Sequence, residues 1–287
     1  MSSVLLVAHH DRAEAATLAR LAAAWLHDHG HDAWMTAEDA VPLGVVDLIA
    51  ERSASSADLA LSIGGDGTML RTVKLLGGAP VPIIGINVGL LGYLTEVEPE
   101  VLCASLERWF AGSQDGEWRL DERMLLDVSA TRADGSHAGT WTALNEGVVE
   151  KQEAGHTVRL QVWIDGTPFT TYAADGLILA TPTGSTAYSL SARGPVLSPR
   201  LRAVLLTPVS PHMLFDRSLV LDSTELVEVE LLGHRSATLS IDGQPALSMV
   251  EGDRVAVAPS EQVAYFVRFG QRRFHQILKA KFGLTDR

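Results

Sequence analysis

Residues 58 to 87 read Asp58-Leu-Ala-Leu-Ser-Ile63-Gly64-Gly65-Asp66-Gly67-Thr68-Met-Leu-Arg71-Thr-Val-Lys-Leu-Leu76-Gly77-Gly78-Ala-Pro80-Val81-Pro-Ile-Ile-Gly-Ile86-Asn87. The pattern predicts a strand over Asp58 to Ile63, a glycine-rich loop, and a helix over Thr68 to Leu76 stopped by Gly77-Gly78 and Pro80. A second strand follows over Val81 to Ile86 and leads into Asn87-Val88-Gly89-Leu90-Leu91-Gly92-Tyr93. Val81 to Ile86 is a buried-type strand. Toward the N-terminus, Val4 to Ala8 is a short, continuously apolar one, as in a parallel sheet covered on both faces. Ala13 to His29 carries Leu18, Leu21, Ala22 and Leu26 at helical spacing, with Trp25 beside them. The alternation predicts a Rossmann-like α/β domain whose loops at the carboxyl ends of strands face a ligand.

The pattern changes at Gly112-Ser113-Gln114-Asp115-Gly116. Beyond it strands dominate, with candidates at Arg123 to Thr131, Thr157 to Ile164, Gly176 to Thr181, Leu226 to Leu232 and Arg254 to Ala258. Asp134-Gly135, Asp165-Gly166 and Asp242-Gly243 are hairpin signals. The expectation is an all-β sandwich interrupted by one helix near Thr186 to Ala192. A final helix, Gln271 to Phe282, is expected to return to the first domain. The division is then 1-118, with 270-287 packing back on it, and 119-269. With 287 residues, 46% of them hydrophobic and 20% charged, the chain can build two ordinary cores.

A net charge of -12 argues against nucleic acid as a partner. It does not exclude a small nucleotide, because loops, helix N-termini and Mg²⁺ can carry phosphate. The single cysteine, Cys103, excludes an internal disulfide and suits a reducing cytoplasm. The N-terminal apolar run is too short for a signal segment, and no run approaches a membrane span. The expectation is a cytoplasmic protein without a membrane partner.

Two loops carry chemistry. In Gly64-Gly65-Asp66-Gly67-Thr68 the glycines let a backbone approach phosphate and adopt positive φ, and the following helix aims its N–H groups there. No Gly-Lys-Ser/Thr follows, so this is not a Walker A loop, and Gly-x-Gly-x-x-Gly does not fit. A carboxylate in such a loop takes a proton, holds Mg²⁺, or merely caps the helix. The second loop follows Asp175-Gly-Leu-Ile-Leu-Ala180 and reads Thr181-Pro-Thr-Gly-Ser-Thr-Ala-Tyr188-Ser-Leu-Ser-Ala192. Its hydroxyls and the helix start predict a polar cradle. Together the loops point to a kinase acting on a nucleotide hydroxyl. Asn145 and Glu146 suit an adenine edge and ribose hydroxyls, or form a turn beside a surface acid. Tyr188 stacks on a ring or packs in the core, and by itself reads as core. His27, His29 and His31 read as a solvated loop rather than a metal site. His9 and His10 end the first strand on the ligand side, and His212 reads as structural.

With these segments in hand, the chain resembles the NAD kinase family, whose members use ATP or polyphosphate and phosphorylate NAD or NADH. The matching segments are Gly64 to Thr68, Leu144-Asn145-Glu146, Asp175-Gly176-Leu177, Thr181 to Ala192, Pro211-His212 and Ile241-Asp242-Gly243-Gln244, in the family's order over nearly the whole chain. The resemblance implies transfer of the ATP γ-phosphoryl to the 2′-hydroxyl of the adenosine ribose of NAD, with Mg²⁺ or another divalent cation. It implies that Asp66 is the catalytic proton acceptor and that Gly64, Gly65, Gly67 and Thr68 form the phosphate loop. Gly67 and Arg71 match positions near the dinucleotide, and Asn145 and Glu146 the pair that holds NAD. Asp175 matches an acidic contact often supplied by a neighbouring subunit. Thr186, Ala187, Tyr188, Ser189, Leu190 and Ser191 match the lining of adenine and ribose, and His156 and Gln244 two further contacts.

The resemblance also implies a homodimer or homotetramer. Two positions depart from the family. Ala173 stands where NAD-specific bacterial members usually carry a basic residue, and relatives without that charge often accept NADH too. Arg193 replaces the usual glycine in Ser-Ala-Gly-Gly-Pro. No protein ligand for the metal is identifiable. Two alternatives stand beside this reading: a lipid kinase of the diacylglycerol or sphingoid-base type, and a dinucleotide sensor without catalysis.

Overall fold

The computed structural model describes residues 1–90, 92–270 and 273–284. The chain forms two units, Met1–Glu122 with Ala264–Arg287, and Arg123–Val263.

The first unit begins with β1 (Ser3–Ala8), α1 (Ala13–Asp28), β2 (Asp32–Trp34), α2 (Ala37–Leu43), β3 (Leu59–Gly64), α3 (Asp66–Leu76), β4 (Pro82–Asn87) and α4 (Leu102–Phe110). Its strands run parallel in the order β2-β1-β3-β4, with Leu61 opposite Leu6 and Ile84. The central strands are mainly apolar, as fits a parallel sheet with helices on both faces. α1 forms because Ala15, Leu18, Ala19, Ala22 and Leu26 make one buried stripe on an alanine-rich, strongly helix-forming sequence. They pack with Val4, Leu6, Leu59, Leu61, Ile84, Ile86 and Leu106 in the unit's core. α3 begins at Asp66 rather than at Thr68, because Gly65 takes the extended N-cap conformation. Gly77, in the left-handed region at φ 58, ends it.

The chain enters the second unit within β5 (Arg119–Thr131), followed by β6 (His137–Ala143), β7 (Glu146–Lys151), β8 (Val158–Ile164), β9 (Thr167–Ala174) and β10 (Gly176–Ala180). After α5 (Tyr188–Ser191) come β11 (Ala203–Val209), β12 (Leu219–Asp222), β13 (Val227–Leu232), β14 (Ala237–Ile241), β15 (Gln244–Met249) and β16 (Arg254–Arg268). One antiparallel sheet has the order β12-β11-β10-β7-β14-β15. Facing it, β13 pairs with β16 and β8, β8 with β9, and β5 with β6. Inward residues of both sheets, among them Leu126, Val149, Leu160, Tyr172, Leu177, Val204, Val229 and Leu239, form the sandwich core. Tyr172 is wholly buried with an unpartnered hydroxyl, and burial pushes its phenol up to about 12.

The three Asp-Gly pairs expected to turn hairpins, at 134–135, 165–166 and 242–243, all do so. At Asp165-Gly166 and Asp242-Gly243 both residues have positive φ, as a two-residue twisted turn requires. At Asp134-Gly135 only the glycine does, because the loop is longer.

Two expectations fail here. The strand expected to end at Ala258 runs on to Arg268: Pro259, which lacks an N–H, does not break it, since β16 pairs β13 before that point and β4 after it, at Tyr265 and Phe266. The helix expected over Thr186 to Ala192 is a 3₁₀ turn, Gly184–Thr186, followed by the single turn α5. Hydroxyl-to-backbone bonds compete with helix formation in that segment. In the first unit again, α6 (Phe274–Lys281) is the last regular element among the described residues. Lys281 Nζ lies 4.3 Å from the centroid of the Tyr93 ring. The other ends of the expected helix, Gln271 and Arg272, lie outside the described residues. Among the described residues no helix is long and apolar enough to cross a membrane.

Gly64 ends β3 where a Cβ would stand 2.1 Å from Thr68 Oγ1 and 2.7 Å from Thr68 Cβ. Gly64→Ala should therefore overpack the β3–α3 junction and cost about 1–3 kcal/mol, read as a lower urea midpoint with unchanged slope. An unchanged midpoint would show that the junction opens freely.

Candidate functional site

The first unit gathers polar groups at the carboxyl ends of β1, β3 and β4. Asp66 is the first residue of α3, and its carboxylate turns away from the helix, so it is not a capping residue. Oδ2 accepts Tyr93 N–H and Oδ1 accepts Leu94 N–H, both at 2.9 Å. Gly92 lies against this carboxylate: a Cβ there would meet Asp66 Oδ1 at 2.2 Å. A carboxylate has about four acceptor positions, so two remain for a substrate proton or cation. Beside it, Gly67 is exposed, with open space where a Cβ would be. Burial raises the phenol of Tyr93, and the Asp66 charge adds to it.

Gly64, Gly65 and Gly67 all keep negative φ, against the expectation of positive values. Gly64 is needed for packing on Thr68, which is itself buried. The loop thus makes no left-handed turn, and at Gly67 its backbone borders open space.

Arg71 is committed to the protein. Its guanidinium pairs with Asp39 Oδ1 at 2.5 Å, donates to Ala8 O at 2.6 Å and touches His10 Nε2. Asp39 is 3% exposed and also contacts His10 Nε2 at 2.7 Å. Asp39 carries no motif signal, which is why the sequence gives no hint of it. Asn87 ends β4 buried, donating to Glu98 Oε2 at 3.3 Å and accepting from Thr95 Oγ1 at 3.3 Å. The histidines near α1 are packing groups: His29 stacks on Trp25 and His31 on Phe110. Burial holds the His31 imidazole below its ordinary range. Among the described residues no three His, Cys, Asp or Glu side chains could together hold a metal ion.

In the second unit the end of β10, the start of β7 and the β14–β15 turn converge, with Ala180 opposite Glu146 and Ile241 opposite Gly147. Asp242 organises them. Its Oδ1 accepts Asn145 N–H at 2.7 Å and Glu146 N–H at 3.0 Å, and Oδ2 accepts Leu144 N–H at 2.8 Å. The Asp-Gly pair signalled a hairpin and belongs to a segment that matches the family, but neither reading pointed to this bracing role. Glu146 is 5% exposed and its Oε2 has no partner, so it is not a surface acid. Burial, then the neighbouring Asp242, push its carboxyl up to about 8, opposed by a hydrogen bond from the Tyr188 backbone. Asn145 is half-buried, and its side chain has no hydrogen bond within the described residues.

The hydroxyl-rich run is mostly self-satisfied. Thr181 Oγ1 donates to Leu144 O at 2.6 Å and accepts Gly184 N–H at 3.1 Å. Ser185 Oγ donates to Pro182 O at 2.7 Å, and the buried Ser189 bonds Thr207 Oγ1 at 3.0 Å. These hydroxyls staple the loop rather than line an open cradle, and Ser189 is therefore not exposed to a ligand. Thr186, Ala187 and Leu190 are half-buried, and Ser191 is exposed. Tyr188 is 37% exposed, which overturns the core reading. Burial raises its phenol, with Glu150, Asp175 and Glu146 adding to the effect.

Asp175 ion-pairs with Lys151, Oδ1 to Nζ 2.6 Å. Ala173 is half-buried on β9, and its carbonyl accepts His212 N–H at 2.7 Å. His156 and Gln244 are exposed. Arg193, in the family's glycine position, has φ 67 and is exposed.

Known proteins match this arrangement. The family model of the ATP-NAD kinase N-terminal domain matches residues 4–114, and that of the ATP-NAD kinase C-terminal domain matches residues 144–269. An NAD kinase of Heliobacterium modesticaldum is 39% identical over 98% of both chains. One from Syntrophotalea carbinolica is 33% identical over 100% of both. Among solved structures, yeast NADH kinase complexed with NADH matches with a TM-score of 0.89 at 21% identity, covering 100% of this chain and 89% of that one. An NAD kinase from Archaeoglobus fulgidus in complex with ATP matches with a TM-score of 0.71 at 24% identity, covering 98% and 96%. The fold is thus that of a two-domain phosphotransferase with an alcohol group as acceptor. The chain belongs to the NAD kinase family. These relatives do not favour the lipid-kinase or sensor alternatives.

A carboxyl whose folded value of about 8 exceeds the ordinary 4.5 binds its proton more tightly in the native state. Stability attributable to it is full below the lower value and lost as pH rises to the upper one. Glu146→Gln should therefore gain on the parent by about 1.4 kcal/mol per pH unit across that window. Urea unfolding at acidic and mildly alkaline pH measures this, and a constant difference would refute it.

Proposed function

We propose that this chain transfers the γ-phosphoryl group of ATP to the 2′-hydroxyl of the adenosine ribose of NAD, giving NADP and ADP. The observation that carries the reading is Asp66: two backbone amides fix its carboxylate, and both oxygens keep acceptor capacity beside the open backbone of Gly67. In that role Asp66 accepts the ribose hydroxyl proton as the oxygen attacks phosphorus. Phosphoryl transfer asks little covalent help from a protein, so fixed geometry and charge neutralisation supply most of the rate.

Gly64, Gly65, Gly67 and Thr68 provide the phosphate loop, with Gly67 offering the close approach. Asn145 and Glu146 hold the adenosine moiety, since an unpartnered amide and a buried carboxyl with a free oxygen suit a base edge and a vicinal diol. The exposed ring of Tyr188, with Thr186, Ala187, Leu190 and Ser191, lines the same moiety. Asp175, His156, Gln244 and the position of Ala173 contribute its rim. The Asp39 pairing makes Arg71 a support of the β1 end rather than a free cation for phosphate. Ser189 supports its loop from within.

The donor set suits a divalent cation carried by the nucleotide: such an ion is held mainly by phosphates and water and needs one or two protein oxygens. Among the described residues of the first unit, Asp66 has acceptor positions left to offer one. The cation would neutralise charge on the triphosphate. The reading carries with it NADH as a second acceptor, because no cation stands at Ala173, and polyphosphate as an alternative donor. It also carries a cytoplasmic homodimer or homotetramer.

The deciding experiment is turnover of the purified protein with Mg²⁺-ATP, or polyphosphate, and NAD or NADH, detecting the 2′-phosphorylated product. Product from NAD supports the reading, and its absence with every donor and acceptor overturns it. Asp66→Asn should lower kcat by about 10²–10⁴-fold while NAD binding stays within severalfold. Near-normal turnover in that variant would remove Asp66 from the proton-accepting role.

A further inference from the structure

Arg268, at the end of β16, is 8% exposed and forms no part of either loop described above. Its Nη1 donates to Leu94 O at 2.8 Å. The same guanidinium pairs with Glu96 Oε2 at 3.4 Å and Asp121 Oδ2 at 3.3 Å. Glu96 is itself anchored, its other oxygen accepting Phe269 N–H at 3.1 Å and Gly270 N–H at 2.7 Å. Leu94 thus has its carbonyl held by Arg268 and its N–H held by Asp66 Oδ1. Thr95, next along, bonds Asn87 Oδ1 at 3.3 Å, and Glu96 N–H and Val97 N–H reach Gly85 O.

We infer that Arg268 is a positioning residue for Asp66, setting the Tyr93 and Leu94 amides that aim the carboxylate. A buried arginine with two acids is a poor stability device, since apolar groups of similar volume often serve as well. A planar fork that meets a carbonyl and two carboxylates at once fixes direction, which a point charge does not. The last residues of β16, where the chain is back in the first unit, then have a task in the reaction: they carry the clamp on the loop that orients Asp66. This inference rests on the reading of Asp66 as proton acceptor.

Arg268→Lys keeps a charge beside Glu96 and Asp121 but loses the fork. The expected result is a kcat about ten- to a hundredfold lower, the penalty of a misplaced catalytic group, with KM for NAD and ATP within about threefold. Hydrogen exchange at the Tyr93 and Leu94 amides should rise at least about tenfold, with β3 and β4 amides unchanged. A kcat within about twofold of the parent, or unchanged exchange at those two amides, would overturn the inference. So would a parallel loss of kcat, KM and global stability, which marks a structural residue.

The unaltered protein supplies a check independent of any variant's folding. Its Tyr93 and Leu94 amides should exchange slowly, and Asp66→Ala should release them; fast exchange in the parent refutes the linkage. If the parent makes no phosphorylated dinucleotide, the proposed function falls, while the exchange data still decide whether Arg268 reaches Asp66 through Leu94.

Discussion

A carboxylate gripped by backbone amides from a distant loop is the constraint on which the polar loops of each unit depend. In the first unit it is Asp66, reaching amides 27 and 28 residues away. In the second it is Asp242, reaching amides 96 to 98 residues away. Each charge-assisted bond contributes about 1.5–3 kcal/mol, and leaving such an amide buried and unpaired would cost a comparable amount. The device therefore fixes loop conformation without a helix or sheet ladder. It also explains the glycines at contact points: Gly92 leaves space for Asp66, and Gly184 leaves space for the Asn145 carbonyl, which a Cβ would meet at 2.2 Å.

The two carboxylates do opposite things with the same chemistry. Asp242 spends its acceptors on Leu144, Asn145 and Glu146 N–H, and its charge helps keep the adjacent Glu146 carboxyl protonated. A buried carboxylic acid that keeps its proton both donates and accepts, whereas an anion only accepts. Asp66 spends only part of its capacity, on the Tyr93 and Leu94 amides. A loop-fixed carboxylate is structural or reactive according to how many acceptor positions the loop leaves over.

The α/β alternation was legible because continuous apolar strands and a 3.6-residue stripe such as Leu18–Ala22–Leu26 have distinct periods. The hairpins at Asp165-Gly166 and Asp242-Gly243 were legible because only such pairs adopt two consecutive positive φ values cheaply. The hydroxyl-rich run misled, because a sequence cannot tell a hydroxyl that faces a ligand from one that bonds the chain three residues back, as Ser185 does to Pro182. Tyr188 misled for the related reason that an aromatic ring reads as core until its neighbours, here Glu146, Glu150 and Asp175, are known to be acids. Asp39, Lys151 and Arg268 carried no signal at all. Their roles arise from pairings at long sequence separation, which leave no local period or motif.

The charge balance of the first unit bears on how an acidic chain handles phosphate. The arginines at the strand ends are already engaged: Arg71 by Asp39 and the Ala8 carbonyl, Arg12 by the Val88 carbonyl. Neither resembles the free bidentate clamp that phosphate recognition by arginine uses. Among the described residues those strand ends also offer backbone donors, the open approach at Gly67 and the N–H groups that begin α3. Backbone donors stabilise a polyanion by direction rather than net charge, so charge neutralisation falls to whatever cation accompanies the nucleotide. A chain of net charge -12 can in this way bind nucleotides without the basic surface that would attract nucleic acid. The arginines serve instead to tie the chain at the ends of β1 and β4, through the carbonyls of Ala8 and Val88.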